Sequence, residues 1–181
     1  VKALETARLF IRIDTLEEYT ELFNTHTDAE LKTLFGFRSD EELRKQKLKF
    51  EKGFRTHRST CLFFHLIEKE NNTVIGGVSF HNWYPDHRRS EIGYDMKSDE
   101  YKNKGYMKEA VRAILAYGFN ELNLNRIEAI IAPDNIPSQK TVEGAGFVRE
   151  ALLKEHYNDD GVIGDSLIYR LLLSEYKNRI A

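Results

Sequence analysis

The sequence predicts an α+β (mixed α/β) fold, a single domain over residues 1–181 with a central, mostly antiparallel twisted sheet flanked by helices. Three observations carry this. Segments of period-two alternation recur along the chain, several are joined by short turns as hairpins, and one is followed by a long stretch of period 3.6 and then another strand. The 181 residues suit one substantial core, and a hydrophobic content of 41% with 12% aromatics is that of an ordinary globular protein. No linker, repeat or low-complexity segment interrupts it.

Taken in order, residues 7–13 (ARLFIRI) alternate into a first strand with Leu9, Ile11 and Ile13 on one face. Thr15-Leu16-Glu17-Glu18 is a capping box, so LEEYTELF follows as a helix. Ser39-Asp40-Glu41-Glu42 is a second box and opens a charged helix running towards Arg55, with Glu41 and Lys45 spaced to support it. Its mixed charge predicts a solvated outer face, and its place between the first two strands also allows it to wall a cleft. Residues 62–69 and 74–82 are apolar runs around Glu70-Asn71-Asn72-Thr73, hence a hairpin. Residues 81–89 read as a loop into the central strand. Later, residues 126–131 form a strand and Pro137 suits the first turn of a short helix carrying residues 139–145, stopped by Gly146. Residues 147–157 and 162–173 flank Asn158-Asp159-Asp160-Gly161, a hairpin turn signal. The expected order is strand, two helices, three strands, helix, strand, short helix, two strands.

The stretch from Ser90 to Asn120 organises the rest. Ile92, Tyr94 and Met96 alternate with Glu91, Gly93 and Asp95; Met107, Ala110, Val111, Ile114, Leu115 and Gly118 then fall in one helical stripe. Lys102-Asn103-Lys104-Gly105-Tyr106 lies at the junction. A helix start presents unpaired N–H groups and the positive end of a dipole, so this junction is a ready anion site, with Gly105 permitting close approach and Lys102 and Lys104 adding charge. By itself a lysine-rich turn is more often simply solvated.

The 27 basic and 29 acidic residues, formal net charge −2, argue against a broad nucleic-acid surface. Cys61, the only cysteine, excludes a disulfide within the chain and reads as a packed thiol. No set of histidines has metal-ligand spacing, so no metal site is expected. The absence of a long apolar run, leader or lipidation pattern predicts a cytoplasmic protein with no membrane partner.

Four stretches together resemble the GCN5-related N-acetyltransferase (GNAT) superfamily, and within it the ribosomal-protein-alanine N-acetyltransferase (RimJ/RimL-like) group. Thr6-Ala7-Arg8-Leu9-Phe10-Ile11-Arg12 is similar to that group's opening T-x-R-L-x-L-R strand, and Glu91-Ile92-Gly93-Tyr94 to its central strand. Residues 102–110 resemble its R/Q-x-x-G-x-G/A pyrophosphate loop and helix start, and Asn135-Ile136-Pro137-Ser138 with Gly144-Ala145-Gly146-Phe147 its N-x-x-S…GF segment. Lys102, Asn103 and Met107 depart from the loop pattern, where Arg or Gln, Gly, and Gly or Ala are usual.

The resemblance implies acetyl-CoA as co-substrate and direct transfer of acetyl to an amine, with the group's ribosomal-protein N-terminus as acceptor and a homo-oligomer as a further expectation. It places the pantetheine arm along Tyr94, Asp95 and Met96, and the pyrophosphate on Lys102, Asn103, Lys104, Gly105, Tyr106, Met107 and Lys108. Asn135 would hydrogen-bond the arm; from the residues alone it is as well read as a helix cap. Backbone N–H groups near Asp95 and Met96 would stabilise the developing oxyanion, and the Ser138 hydroxyl would protonate the leaving thiolate, against a capping role of equal weight. The base is open between Glu155, His156, Glu91, His81, Asp165 and a water chain. A small-amine acetyltransferase, acting on a polyamine or antibiotic, and a non-catalytic CoA-binding module are the competing readings.

Overall fold

The computed structural model describes residues 2–52 and 60–180. Its strands are β1 (Lys2–Glu5), β2 (Leu9–Thr15), β3 (Thr60–Glu68), β4 (Thr73–Tyr84), β5 (Arg89–Met96), β6 (Arg126–Ile131), β7 (Val148–Asp159) and β8 (Val162–Leu172). Among the described residues they form one sheet in the order β1-β2-β3-β4-β5-β6-β8-β7, antiparallel throughout except where β5 meets β6. The helices are α1 (Leu16–Thr25), α2 (Asp28–Phe35), α3 (Asp40–Lys52), α4 (Tyr106–Asn120), α5 (Ile136–Ala145) and α6 (Leu173–Ile180). The α+β architecture is the one the sequence predicts.

Alternation splits the sheet into two faces. Leu9, Ile11 and Ile13 of β2, Leu62, Phe64 and Leu66 of β3, and Val78 and Phe80 of β4 share the main core with Ala110, Val111, Ile114 and Leu115 of α4. Each fully buried aliphatic or aromatic side chain there contributes about 1.5–3 kcal/mol. Phe63, one residue out of phase, joins Tyr19, Leu31, Phe35 and Leu43 in a smaller cluster that seats α1–α3 on the opposite face.

Several boundaries differ from the sequence expectation. The Thr15 capping box closes as read, with Thr15 accepting from Glu18 N and Glu18 from Thr15 N. At Ser39 only half forms: Ser39 accepts from Glu42 N, but the Glu42 carboxylate turns to Arg38 N at 2.8 Å. The helix it opens was expected to reach Arg55, and the stretch beyond residue 52 lies outside the described residues. Two helices were expected in this region and three are present; α2 starts on a third capping box, Thr27 with Glu30, and ends on Gly36. The expected loop at residues 81–89 is in fact strand as far as Tyr84, because a register irregularity at Asn82, whose φ is 45°, absorbs the polar residues. β1 and α6 were not anticipated, and Leu173 starts α6 instead of ending a strand.

Candidate active site

β5 and β6 diverge. Their register pairs Arg89 with Arg126, Ser90 with Ile127 and Glu91 with Glu128 and stops, although β5 continues to Met96 and β6 to Ile131. Lys97 N donates to the Ile75 carbonyl at 2.9 Å. Strand alternation therefore turns the backbone groups of Asp95 towards β4 and those of Tyr94 and Met96 into the opening. An extended chain with amide groups can lie there as a further strand.

At the far end of the opening stands the start of α4. Gly105 is its N-cap, at φ +82°, and offers no side chain to the first turn. Among the described residues, no hydrogen bond inside the protein uses the N–H of Gly105, Tyr106, Met107 or Lys108; the first in the helix is Glu109 N to the Gly105 carbonyl at 3.1 Å. These free donors, with the helix dipole behind them, fit a diphosphate. Lys102 Nζ is held by Asp99 at 2.6 Å, and Lys104 Nζ lies 6.0 Å over the Tyr101 ring.

The loop is braced from the opening strand. Arg8 donates from Nε to Glu109 Oε2 at 2.7 Å and from Nη1 to the Lys104 carbonyl at 2.9 Å, while its guanidinium lies 4.3 Å over Tyr106. Thr6 Oγ1 and Arg8 N both donate to Glu109 Oε1, at 2.6 and 2.8 Å. The T-x-R motif thus acts on the loop from 101 residues away. Tyr106 Oη is anchored on Glu68.

Opening and loop join in one cleft of about 560 Å³. Tyr94, Asp95, Met96, Lys102, Asn103, Gly105, Tyr106, Met107, Lys108, Asn135 and Ser138 all line it; of the residues named from sequence, Lys104 and the candidate bases His81, Glu91, Glu155, His156 and Asp165 do not. Sequence reasoning missed Tyr101, Pro137, Lys140 and Thr141, although the spacing of Pro137 and Thr141 puts them on the same side of a helix. Asn135 is the N-cap of α5, its Oδ1 accepting from Ser138 N at 3.2 Å. Ser138 occupies the third helical position, so the capping is done by Asn135. Tyr94 Oη donates to the Ser138 carbonyl at 3.1 Å, fixing this turn against β5. Burial pushes the Tyr94 phenol up to about 12, with Ser138 opposing, so it stays protonated at neutral pH.

The candidate bases do not all converge. His81 Nε2 lies 3.1 Å from Glu91 Oε1, Asn82 Nδ2 donates to Glu91 Oε2 at 3.0 Å, and Ser79 Oγ is 3.1 Å from His81 Nδ1. A Cβ on Gly93 would stand 2.8 Å from His81 Cε1, so the ring requires glycine beneath it. Burial raises the Glu91 carboxyl, but His81, Asn82 and the charge of His156 outweigh it and leave it below the ordinary value. Asp165 is engaged elsewhere, accepting from Lys154 Nζ at 2.7 Å and Glu155 N at 3.0 Å where β7 bulges. No helix among the described residues is long and apolar enough to cross a membrane.

The acetyltransferase (GNAT) domain family model matches residues 8–148, and the chain belongs to this family of acetyl-CoA-dependent acetyl-transferring enzymes. It is similar to the uncharacterized N-acetyltransferase p20 of Bacillus licheniformis, 40% identical over 113 residues, 62% of this chain and 63% of p20. The match therefore spans less than two thirds of p20. Relatives named for an acceptor are of two kinds. A putative ribosomal N-acetyltransferase of Bacillus subtilis, YdaF, is 32% identical over 59% of this chain and 58% of its own length. A spermidine N(1)-acetyltransferase of Vibrio cholerae is 29% identical over 63% of this chain and 65% of its own length. Among solved structures, a GNAT-family acetyltransferase from Bacillus anthracis is 28% identical with a TM-score of 0.68, over 96% of this chain and all of its own.

Proposed function

We propose that the protein transfers acetyl from acetyl-CoA directly to an α-amino group, that of a polypeptide N-terminus of the ribosomal-protein type. The observation that carries this is the continuity of the cleft from the free N–H groups at Gly105–Lys108 through the β5/β6 opening to Ser138. When bound, acetyl-CoA supplies the thioester. The α4 turn holds its diphosphate, and the backbone of Tyr94 and Met96 receives the arm and offers N–H donors along the opening. Ser138 is the proton donor to the departing sulfur.

Proton removal from the amine falls to the chain Ser79–His81–Glu91. With His81 Nε2 donating to the Glu91 carboxylate, Nδ1 is the acceptor and Ser79 Oγ donates to it. Ser79 can then accept a proton from the amine as it gives one up. This modest base suits an α-amino group, whose pKa near 7.7–8.0 makes deprotonation at pH 7 cost about 1 kcal/mol, against about 4.6 kcal/mol for a lysine amine near 10.4.

The test is a pair of peptides of one sequence, one blocked at the α-amine and one at lysine, with thiol release and product mass measured. Acetylation only of the peptide with a free α-amine is expected. Modification of lysine or spermidine alone overturns the acceptor, and tight acetyl-CoA binding without thiol release from any amine favours a non-catalytic module.

A further inference from the structure

A second cavity, of about 310 Å³, lies under α1–α3 on the sheet face opposite α4, and it meets the acetyl-CoA cleft at Tyr94 and Asp95, which line both. One wall is aromatic. Ring centroids stand 4.3 Å apart for Tyr19 and Phe63, 5.1 Å for Tyr19 and Phe35, and 5.9 Å for Phe35 and Phe37. Gly77 sits between His65 and Asp95 in one cross-strand row, and its missing side chain makes the hollow. Gln46, which donates to Tyr19 Oη at 2.7 Å, Ser79, His65 and the Tyr19 and Tyr94 hydroxyls are polar groups along it.

The charges around this space are unequal. Among the described lining residues Asp95 is the one carboxylate, while Lys49 and Lys97 bring two cations. Lys97 Nζ lies 3.7 Å from Asp95 Oδ2 and 5.1 Å over the Phe37 ring. The Asp95 side chain is 64% exposed, so its carboxylate remains open to an incoming amine. A volume of about 310 Å³ is that of roughly ten waters, the scale of one residue with a large side chain. A polyamine, cationic along its length, would meet two lysines and a single carboxylate among the described lining residues.

We propose that this cavity holds the residue carrying the acceptor α-amino group, and that it selects a large, apolar, uncharged side chain there and rejects a cationic one. The inference rests on the α-amino reading given above. The amine sits at the Asp95 mouth beside the cleft, and the side chain packs on the partly buried Phe37 and Phe63, which Tyr19 and Phe35 back from behind. The same chemistry is presented by a polypeptide N-terminus and by a free apolar amino acid, whose carboxylate would face Lys49 and Lys97.

The experiment compares peptides differing only in a first residue of Phe, Leu, Ala or Lys, alongside free phenylalanine, free leucine and spermidine. Acetylation is followed by product mass, and binding of phenylalaninamide and lysinamide without acetyl-CoA by calorimetry. Phe or Leu in first place should exceed Lys by at least about tenfold in kcat/KM, the scale a hydrophobic pocket discriminates. Phe37→Ala should shrink the Phe-to-Ala ratio, and Lys97→Glu should shrink the Phe-to-Lys ratio, with the calorimetric affinities moving in parallel. Acetylation of the free amino acids or of the peptides, with that order, supports the proposal and identifies the source. α-Amino acetylation indifferent to the first side chain, or favouring Lys, overturns this inference alone. Acetylation of spermidine only, or of no α-amino group while acetyl-CoA still binds, overturns the α-amino reading and this inference with it.

Discussion

Arg8 Nε and Glu109 Oε2 meet at 2.7 Å, and through this contact the residue just before β2 holds the loop at the start of α4 in place. The same guanidinium reaches the Lys104 carbonyl at 2.9 Å, so Arg8 clamps both sides of Gly105. Arg8→Ala removes both side-chain bonds and leaves Glu109 with Thr6 Oγ1 and the backbone N–H of residue 8. Acetyl-CoA affinity by calorimetry should fall about tenfold, near the ~1.4 kcal/mol of one charge-assisted hydrogen bond, while kcat changes little. Burial raises the Glu109 carboxyl, but its bonds from Thr6 and Arg8 bring it below the ordinary value. Its contribution is therefore complete above the ordinary carboxylate pKa and is lost only as pH falls through the lower folded value. The difference between wild type and variant should be flat across neutral pH; a difference that titrates near pH 7 contradicts the brace.

Gly105→Glu tests the anion site. At φ +82° any L side chain is strained by roughly 1–2 kcal/mol, and a carboxylate there also opposes phosphate. Gly105→Ala carries the strain alone, since its Cβ would meet Arg8 Nη2 at an ordinary 3.5 Å. Affinity for acetyl-CoA should drop far more in the Glu variant than in the Ala variant, in proteins of matched circular dichroism. Equal losses would mean that strain, not charge, governs the site.

What was legible in the sequence follows from periodicity. The stripe Ala110, Val111, Ile114, Leu115 is buried as read, and Leu9, Ile11 and Ile13 share one face, because burial itself writes those periods. The loop at residues 102–108 was legible because it lies between two strongly periodic segments, whereas Tyr94, Asp95, Met96, Asn135 and Ser138 were named from the family resemblance. The missed helix α2 had a signal in Thr27–Glu30 and Gly36 that the surrounding polar residues obscured. β1 has only four residues, too few to show alternation, and is defined by pairing Lys2 to Glu5 against Ile13 to Phe10. The Arg8 brace to α4 and the His81–Glu91 contact between β4 and β5 are tertiary contacts, which no spacing along the chain records, while Ser79 and His81 are two apart on β4.

Beneath the α1–α3 layer, Asp14 Oδ2 lies 3.1 Å from both Arg12 Nη2 and His65 Nε2, with its side chain only 5% exposed. Burial raises the Asp14 carboxyl, yet His65 and Arg12 lower it further, so it is ionised well into acid. A depressed carboxylate contributes stability that is present above its unfolded pKa near 3.9 and lost as pH falls through the folded value. Asp14→Ala leaves Arg12 buried without its counter-charge and should cost roughly 3–5 kcal/mol in urea unfolding at pH 7. The gap between variant and wild type should begin to narrow below about pH 4, as the unfolded carboxylate takes up a proton, and close as pH falls through the lower folded value. A gap unchanged in acid would show that lost packing, not the ion pair, is the cause.

Asn135 and Ser138 are adjacent in the cleft and should fail differently. Asn135 Oδ1 caps Ser138 N, so Asn135→Ala should lower stability by about 1 kcal/mol and weaken acetyl-CoA binding as the first turn of α5 loosens. Ser138→Ala leaves that cap intact, since the bond uses the backbone N–H. A hydroxyl that acts only on the departing sulfur contributes in the transition state and not in the ground state. The Ser138 variant should therefore keep its melting temperature and its acetyl-CoA Kd while kcat falls about 10²-fold, the low end for general acids because a thiolate leaves readily. Raising the pH should narrow that gap, as the thiolate then needs no donor. A Ser138→Ala variant with undiminished kcat would remove Ser138 from the chemistry, and one with weakened acetyl-CoA binding would make its role structural.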